Sequence, residues 1–219
     1  MNIVIVGATG NVGSRTMKYA LEAGHQVIAY ARRPESVSNA DKVQVVKGDA
    51  QDPVALARAA KGADAIIVAI TGAVSDGTFM QRTVPSIITA AKAADVRRIV
   101  MVSAFGAGDT ADKAAWFMKF AYRTVLGKFF RDKAASDALL EQSGLDYTIV
   151  YPVNLKDAPA SINAVAKPLE QVDKVPGMPT LPFTNVAQEL VRIVADPASI
   201  GQRILLTTAK GWKAKRKEK

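Results

Sequence analysis

Three glycines spaced three residues apart, Gly7, Gly10 and Gly13, lie between a short apolar run and a segment with helical spacing. The run at residues 2–6 is rich in β-branched side chains and predicts a strand, and residues 11–23 predict a helix. In such a unit the first glycine permits a tight turn, the second lets the backbone approach a pyrophosphate, and the third lets the helix pack closely on the strand. The segment therefore predicts a dinucleotide-binding turn, with the amides at the helix start facing the phosphates.

The rest of the chain continues the alternation of strands and helices. Further strands are predicted at residues 26–31, 43–47, 64–70, 98–103, 147–151 and 203–208, and helices at residue 52 onward, 80–94, 112–131, 133–142 and 184–195. The nearly all-apolar run at 64–70 is typical of a parallel strand covered on both faces. This alternation predicts an α/β fold, a Rossmann-type doubly wound parallel sheet in a single domain.

The expected domain covers residues 1–209. Residues 104–131 and 153–183 are predicted to form a small substrate region, mostly irregular between 154 and 182, where five prolines fall: Pro159, Pro168, Pro176, Pro179 and Pro182. Residues 210–219 hold six Lys or Arg and one acid, so they contribute +5 to the net charge of +9. We expect a solvated, disordered basic tail there, in preference to a tether for nucleic acid or membrane.

Composition limits the chemistry. The 219 residues include no Cys and one His, His25, so disulfides and thiolate chemistry are excluded and no metal site is expected. The first residues lack the features of a signal peptide, and no apolar run approaches the ~20 residues that span a bilayer. We therefore expect a cytoplasmic protein whose partner is a small molecule, without a nucleic-acid or membrane partner.

The end of the second predicted strand indicates the cofactor. An acidic residue there would hold the ribose 2′-hydroxyl of NAD, but the position falls near Tyr30 and Ala31 and is followed by Arg32 and Arg33. Two guanidinium groups can bind a 2′-phosphate through charge-assisted hydrogen bonds. NADP(H) is therefore predicted in preference to NAD(H); the alternative is an ordinary solvated pair of surface arginines.

Four motifs together resemble the atypical short-chain dehydrogenase/reductase family. They are the glycine turn, the Lys47-Gly48-Asp49 turn, the segment from Ser103 to Gly106, and the stretch from Ser143 to Pro152. Within the family the chain is most similar to the NAD(P)H-binding branch that includes biliverdin reductase B/flavin reductase, with NmrA-like proteins as more distant relatives. The resemblance covers about residues 2–208 and implies the fold and the cofactor more specifically than the substrate.

The resemblance also implies which residues hold the cofactor. The turn with Gly7, Thr9, Gly10, Asn11 and Val12 would hold the phosphates, Asp49 and Ala50 would border the adenine, and Ala69, Ile70, Thr71 and Gly72 would pass beneath the ribose and diphosphate. Tyr151, Pro152, Val153 and Asn154 stand where the family commonly has Arg-Pro-Gly, beside the nicotinamide amide. The missing arginine leaves that contact without a charged donor.

Ser103 and Lys133 are the candidates on the reactive side. Ser103 would lie beside the nicotinamide as the catalytic residue, and the crevice at the carboxyl ends of parallel strands places it there independently; the alternative is a serine that satisfies local backbone. Lys133 matches a family lysine in the pattern Lys133-x-x-x-Asp137, where the family usually has Glu in place of Asp137. It would bind the nicotinamide ribose, and the alternative is a solvated helix lysine.

The proton donor of many family members is missing. The best-known branch reduces carbonyls with Tyr-x-x-x-Lys, but Tyr122, Tyr147 and Tyr151 are followed four residues later by Leu126, Tyr151 and Leu155. A carbonyl that takes hydride needs a positioned acid, whereas flavins, quinones and linear tetrapyrroles delocalise the added electrons. The absence favours an acceptor of this second kind.

The segment from Trp116 to Phe130 mixes aromatic and basic residues, among them Phe117, Phe120, Tyr122, Phe129, Lys119, Arg123, Lys128 and Arg131. It could be a flap that stacks on a planar, anionic ligand, or, as we favour, a core or dimer helix with a solvated basic side.

The leading hypothesis is an NADPH-dependent oxidoreductase with a flavin, quinone or linear tetrapyrrole acceptor. The alternatives are a non-catalytic NADP(H) redox sensor of NmrA-like type and a sugar-nucleotide epimerase, and the sequence does not fix the oligomeric state.

Overall fold

The computed structural model describes residues 1–124 and 126–215, with only the backbone described for residues 120–123. The strands are β1 Asn2–Val6, β2 Gln26–Ala31, β3 Gln44–Lys47, β4 Ala65–Val68, β5 Arg98–Val102, β6 Asp146–Pro152, β7 Asn154–Lys156, β8 Ala164–Pro168, β9 Val172–Lys174, β10 Thr180–Pro182, β11 Gln202–Thr208 and β12 Lys213–Ala214. The α-helices are α1 Asn11–Glu22, α2 Pro53–Ala60, α3 Phe79–Ala93, α4 Trp116–Arg123, α5 Gly127–Glu141 and α6 Phe183–Val194. In these residues no helix is long and apolar enough to cross a membrane.

The central sheet has eight strands in the order β3-β2-β1-β4-β5-β6-β11-β8. All its pairs are parallel except β11 with β8. β4 and β5 are buried along their whole length, as apolar strands covered on both faces must be. The doubly wound α/β prediction is confirmed, and the strand order reverses between β1 and β4, where such folds bind their ligands.

Helices cover both faces of the sheet, and carboxylate side chains cap the starts of α2 and α3. α1 packs against α6, while α3 packs against both α2 and α5. Asp52 begins α2 as predicted, because its carboxylate accepts from the amides of Val54 and Ala55 at 3.0 Å. α3 is capped from outside, by Asp132 of α5, whose two oxygens accept from the Met80 and Gln81 amides at 2.9 Å.

The helices at residues 112–142 differ from the prediction. The expected break between residues 131 and 133 is wrong, because α5 runs without interruption from Gly127 to Glu141. Residues 108–113 form a 3-10 turn, and α4 ends at Arg123. Asp132 and Lys133, which the prediction placed at this boundary, are buried within α5 and bonded to other elements.

The proline-rich region is more regular than predicted. β7 pairs with β10, β8 extends the main sheet beside β11, and β9 pairs with β12. Pro168 and Pro182 end their strands, and the strands are short and lie at edges. Proline is tolerated at an edge because its missing N–H need not reach a neighbour.

Ordered structure also continues past the predicted boundary at residue 209. β12 lies within the expected tail, the Lys215 amide donates to the Gln171 carbonyl at 2.9 Å, and Trp212 packs against the core with the Lys167 ammonium 5.1 Å from its ring centre. The prediction of disorder is therefore wrong for residues 210–215. Residues 216–219 of that tail lie outside the described residues.

Candidate active site

A cleft of about 1020 Å³ opens at the carboxyl ends of the parallel strands. The predicted site residues that line it are Gly7, Thr9, Gly10, Asn11, Val12, Arg32, Arg33, Asp49, Ala50, Ala69, Ile70, Thr71, Ser103, Lys133, Pro152, Val153 and Asn154. Segments that are far apart in the sequence thus meet along one cleft.

The glycine turn has the shape that a diphosphate requires. Gly7 has φ +93°, and a Cβ there would lie 2.5 Å from the Ala69 carbonyl oxygen. A Cβ on Gly13 would lie 2.1 Å from the Gly7 carbonyl oxygen, so helix and turn meet too closely for any side chain. Gly10 lines the cleft and begins α1, whose first turn has no side-chain cap and no acid. The amides there are free to bind an anion, so the turn fits a dinucleotide.

Tyr30 and Gly48 shape the end of the cleft near Asp49 through a contact that the sequence did not reveal. Tyr30 is buried at the end of β2, and its hydroxyl donates to the Asp49 carbonyl oxygen at 3.0 Å. A Cβ on Gly48 would lie 2.1 Å from that hydroxyl oxygen, so Gly48 makes room for Tyr30. Burial raises the pKa of Tyr30 to about 12, which keeps it neutral. The exposed Arg32 and Arg33 follow at the rim of the cleft.

Gly72 and Tyr151 do not line the cleft, contrary to their predicted roles. A Cβ on Gly72 would lie 2.5 Å from Cβ of Phe79, so this glycine serves packing against α3. Tyr151 is 1% exposed, with the Arg203 guanidinium 5.3 Å from its ring centre. The wall of the cleft that follows β6 is formed by residues 152–155 instead.

Ser103 follows β5 directly, and its hydroxyl donates to Asp137 Oδ2 of α5 at 2.8 Å. Both side chains are buried, and within the described residues Asp137 Oδ1 has no hydrogen-bond partner. Burial raises the pKa of Asp137 to about 6, opposed by the hydrogen bond from Ser103 and the charge of Lys133. The sequence named Asp137 only as a departure from the family's glutamate.

Lys133 is 3% exposed, so the alternative of a solvated helix lysine is wrong. Its ammonium donates to the Ile70 carbonyl at 3.3 Å and the Val102 carbonyl at 3.2 Å, at the carboxyl ends of β4 and β5. Burial lowers the pKa of Lys133 to about 8, opposed mainly by the charge of Asp137. A cation is thus held at the inner wall of the cleft.

A chain of polar groups leads from Asp137 toward the surface. The Tyr151 hydroxyl lies beside Asp137 and accepts from Arg203 Nε at 3.3 Å. Arg203 Nη1 donates to Asp109 Oδ2 at 3.1 Å, and Nε lies 3.4 Å from Glu141 Oε1. These two carboxylates fix the guanidinium behind the tyrosine.

The remaining part of the cleft is apolar. Side chains that line it there include Phe105, Met118, Leu126, Phe129, Phe130 and Met178. Lys119, Lys128 and Arg131 are not among the lining residues, and Trp116 and Phe117 are 83% and 43% exposed. The segment from Trp116 to Phe130 therefore contributes apolar and aromatic side chains to the cleft. Its described basic side chains do not line the cleft. The side chains of Phe120, Tyr122 and Arg123 lie outside the described residues. Nor does the described part of the chain gather three or more potential metal ligands.

The model of the NAD(P)H-binding family matches residues 7–197. The chain belongs to this family. YhfK of Bacillus subtilis strain 168, named an uncharacterized sugar epimerase, is 30% identical over 183 residues, which cover 78% of this chain and 80% of YhfK. An NAD(P)H azoreductase of Xenophilus azovorans is 36% identical over 107 residues, which cover 48% of this chain and 36% of the azoreductase.

Among solved structures, ChuY, an anaerobilin reductase from Escherichia coli O157:H7, superposes with a TM-score of 0.80 and 25% identity, over 96% of this chain and 98% of ChuY. These relatives place the chain in the atypical short-chain dehydrogenase/reductase branch, as an NAD(P)H-dependent enzyme. The resemblance inferred from the motifs is confirmed.

Proposed function

We propose that the protein is an NADPH-dependent oxidoreductase that reduces a planar, electron-delocalising acceptor such as a flavin, a quinone or a linear tetrapyrrole. The observation that carries the proposal is an apolar, partly aromatic wall next to Ser103, whose described side chains include no tyrosine that could serve as the acid in carbonyl reduction. A flat conjugated molecule matches such a wall because aromatic rings gain most from stacking and edge contacts.

Phe129 explains the missing acid. It lies four residues before Lys133 on α5, so it occupies the tyrosine position of a Tyr-x-x-x-Lys pattern that ends at this lysine. Phe129 lines the cleft and packs edge-on against Phe130, with ring centres 5.3 Å apart. A phenyl ring adds apolar contact area and offers no proton.

The chain's own residues bind and orient the reactants. In the proposed enzyme the glycine turn binds the diphosphate, Lys133 binds the nicotinamide ribose and Ser103 faces the reacting groups; the proposal is supported by the fact that all three line the cleft. A bound reduced nicotinamide would supply hydride. Two relatives are named as reductases, an azoreductase and an anaerobilin reductase, and this supports reduction over the epimerase alternative that the name of YhfK suggests.

Steady-state oxidation of NADPH with FMN, a soluble quinone and biliverdin tests the proposal. We expect turnover with at least one acceptor, and a roughly 100-fold lower kcat in Ser103→Ala with NADPH affinity retained. Tight NADPH binding without turnover of any acceptor would overturn the reductase and favour a redox sensor. Epimerisation of a nucleotide sugar without net NADPH oxidation would favour the epimerase.

The preference for NADP(H) is tested by replacing Arg32 and Arg33 together with serine. Both line the cleft after β2, where no acid is present to bind a 2′-hydroxyl. We expect KM for NADPH to rise about 10- to 30-fold while KM for NADH stays constant, since only the 2′-phosphate loses charge-assisted bonds. Arg58→Ser, an exposed arginine of α2, is the matched control. Equal changes for both cofactors would contradict the preference.

A further inference from the structure

The buried carboxyl group behind Ser103 has no structural task that accounts for it. Asp137 is 5% exposed, its Oδ2 accepts a hydrogen bond from Ser103, and the Tyr151 hydroxyl also interacts with its carboxyl group, while Oδ1 accepts no hydrogen bond among the described residues. Asp132, five residues earlier on the same helix, is also buried, but both its oxygens accept backbone amides of α3. A buried carboxylate with an unused oxygen is costly to keep, so its position calls for a chemical explanation.

We propose that Asp137 is a proton reservoir that acts through Ser103: the Ser103 hydroxyl gives its proton to the reduced acceptor, and Asp137 replaces that proton. The inference rests on the proposed function. Phe129 occupies the position of the tyrosine that would otherwise supply a proton. The proposal assigns the source of that proton to the Asp137 carboxyl group, which lies on the same helix, α5.

The step balances. A bound reduced nicotinamide would supply a hydride, that is, two electrons and one hydrogen nucleus, so the acceptor would gain one negative charge. The O–H bond of Ser103 breaks toward the acceptor while the O–H bond of Asp137 breaks toward Ser103 Oγ. Asp137 ends as a carboxylate and regains its proton from water, so the net reaction consumes one hydride and one proton.

The surroundings of Asp137 suit both the protonated and the ionised form of its carboxyl group. From β5 it meets Ser103, from its own helix Lys133, and from β6 and β11 it meets Tyr151 and Arg203. Burial favours the protonated form, whereas the Ser103 and Tyr151 hydroxyls and the two cations favour the carboxylate, so neither form is held exclusively near neutral pH. When protonated, Asp137 donates to Ser103 Oγ, and the serine hydrogen is then free to point into the cleft.

Lys133 is the other titratable group of the cleft, with a pKa lowered to about 8. Its ammonium is bound to two backbone carbonyls rather than to Asp137 or Ser103. A decrease in rate near pH 6 therefore belongs to Asp137 only if it disappears when Asp137 alone is changed.

The experiment combines infrared difference spectroscopy with pH-rate profiles. In the protein without acceptor, the spectrum of wild type minus Asp137→Asn should show a protonated carboxyl band that titrates near pH 6, and the band should shift in Ser103→Ala. In turnover, kcat of the wild type should fall as pH rises through that value. Asp137→Asn should lower kcat about 100-fold and remove both this pH dependence and the solvent deuterium isotope effect.

The other variants separate the relay from a structural role. Asp137→Glu should restore most of the rate, and Ser103→Ala with Asp137→Asn should lose no more than either change alone, because the two groups act in series. Asp132→Asn should lower thermal stability but leave the pH profile intact. If the carboxyl band is absent above about pH 5, or Asp137→Asn keeps the rate and the pH profile, the relay is wrong while the reductase stands. If the wild type reduces no acceptor, the proposed function fails and the relay fails with it.

Discussion

β5 has a buried charged group near each of its ends, and the two are bonded very differently. At its amino end, Arg98 is 8% exposed, and its guanidinium makes five hydrogen bonds of 2.7–3.4 Å, to the carbonyls of Ile193, Val194 and Asp146 and the hydroxyls of Thr148 and Ser199. At its carboxyl end, Asp137 accepts a bond from Ser103 and lies beside the Tyr151 hydroxyl, while its Oδ1 has no hydrogen-bond partner among the described residues. Among the residues that the structure describes, neither group makes an ion pair within 4 Å that would offset its burial.

The difference distinguishes a buried charge that stabilises the fold, Arg98, from one for which we propose a chemical role, Asp137. Arg98 ties β5 to β6 and to the end of α6, and all three of its nitrogens are used. A fully bonded network stabilises because removing any member leaves partners unpaired. A partly bonded group costs stability, and such groups concentrate at functional sites. Four substitutions test this distinction, in order of decreasing effect.

Arg98→Met should lower the free energy of unfolding by about 3–5 kcal/mol, because three buried carbonyls lose their donor. Urea denaturation measures the loss. The matched control is Arg97→Met, since the neighbouring side chain is 64% exposed and pairs with Asp146 at the surface, which is worth at most about 1 kcal/mol. NADPH affinity should not change in either variant. A loss below about 1 kcal/mol in Arg98→Met would contradict the claim that the bonds of Arg98 stabilise the fold.

Asp137→Asn should have the opposite sign and raise the free energy of unfolding at pH 8, by up to about 3 kcal/mol. The pKa of Asp137 rises from 3.8 to about 6 on folding, so the folded state holds the proton more tightly and stability falls as pH rises between these values. The gain should therefore be complete above pH 6 and vanish below about pH 4. Thermal unfolding at both pH values measures it, and Asp132→Asn should destabilise at each. A loss of stability in Asp137→Asn at pH 8 would show that Asp137 stabilises the fold, as Arg98 does.

Lys133→Met should also stabilise, by about 1–2 kcal/mol at pH 7. The pKa of Lys133 falls from 10.5 to about 8 on folding, so its charged form is penalised below pH 8 and the penalty fades as pH rises toward 10.5. Part of the gain is lost because the Ile70 and Val102 carbonyls lose a donor. NADPH affinity, measured by fluorescence titration, should fall about 10-fold. Lys92→Met, on the exposed side of α3, should change neither quantity.

Thr148→Val should cost about 1 kcal/mol, the smallest of the four effects. The Thr148 hydroxyl accepts from Arg98 at 2.9 Å and donates to the Ser199 carbonyl at 2.6 Å. In the Arg98→Met background the same change should cost less than it does alone, because the network is already broken. Thr89→Val at an exposed helix position is the control. Additive losses in the double variant would show that the bonds around Arg98 do not act as a network.

The sequence located one half of the site much better than the other. The glycine turn lies within one strand-turn-helix segment. Glycine is required at positions 7 and 13 because a Cβ at either position would collide with a backbone carbonyl oxygen. The proposed acceptor half is lined by Phe105, Met118, Phe129 and Met178, whose apolar side chains look like ordinary core residues in the sequence. Tyr151 was assigned to the cleft, but strand alternation turns its side chain toward Arg203 instead.

Sequence alone determined the strand and helix order, the sheet edge at which the site lies and the glycine turn. These depend on apolar periodicity and on local backbone geometry, which neighbouring residues impose on one another. Only the tertiary structure decided that Ser103 meets Asp137, which is 34 residues away, and that Asp132 caps α3. A side-chain hydrogen bond depends on which helix face packs on which strand, and no spacing within a single segment encodes that choice.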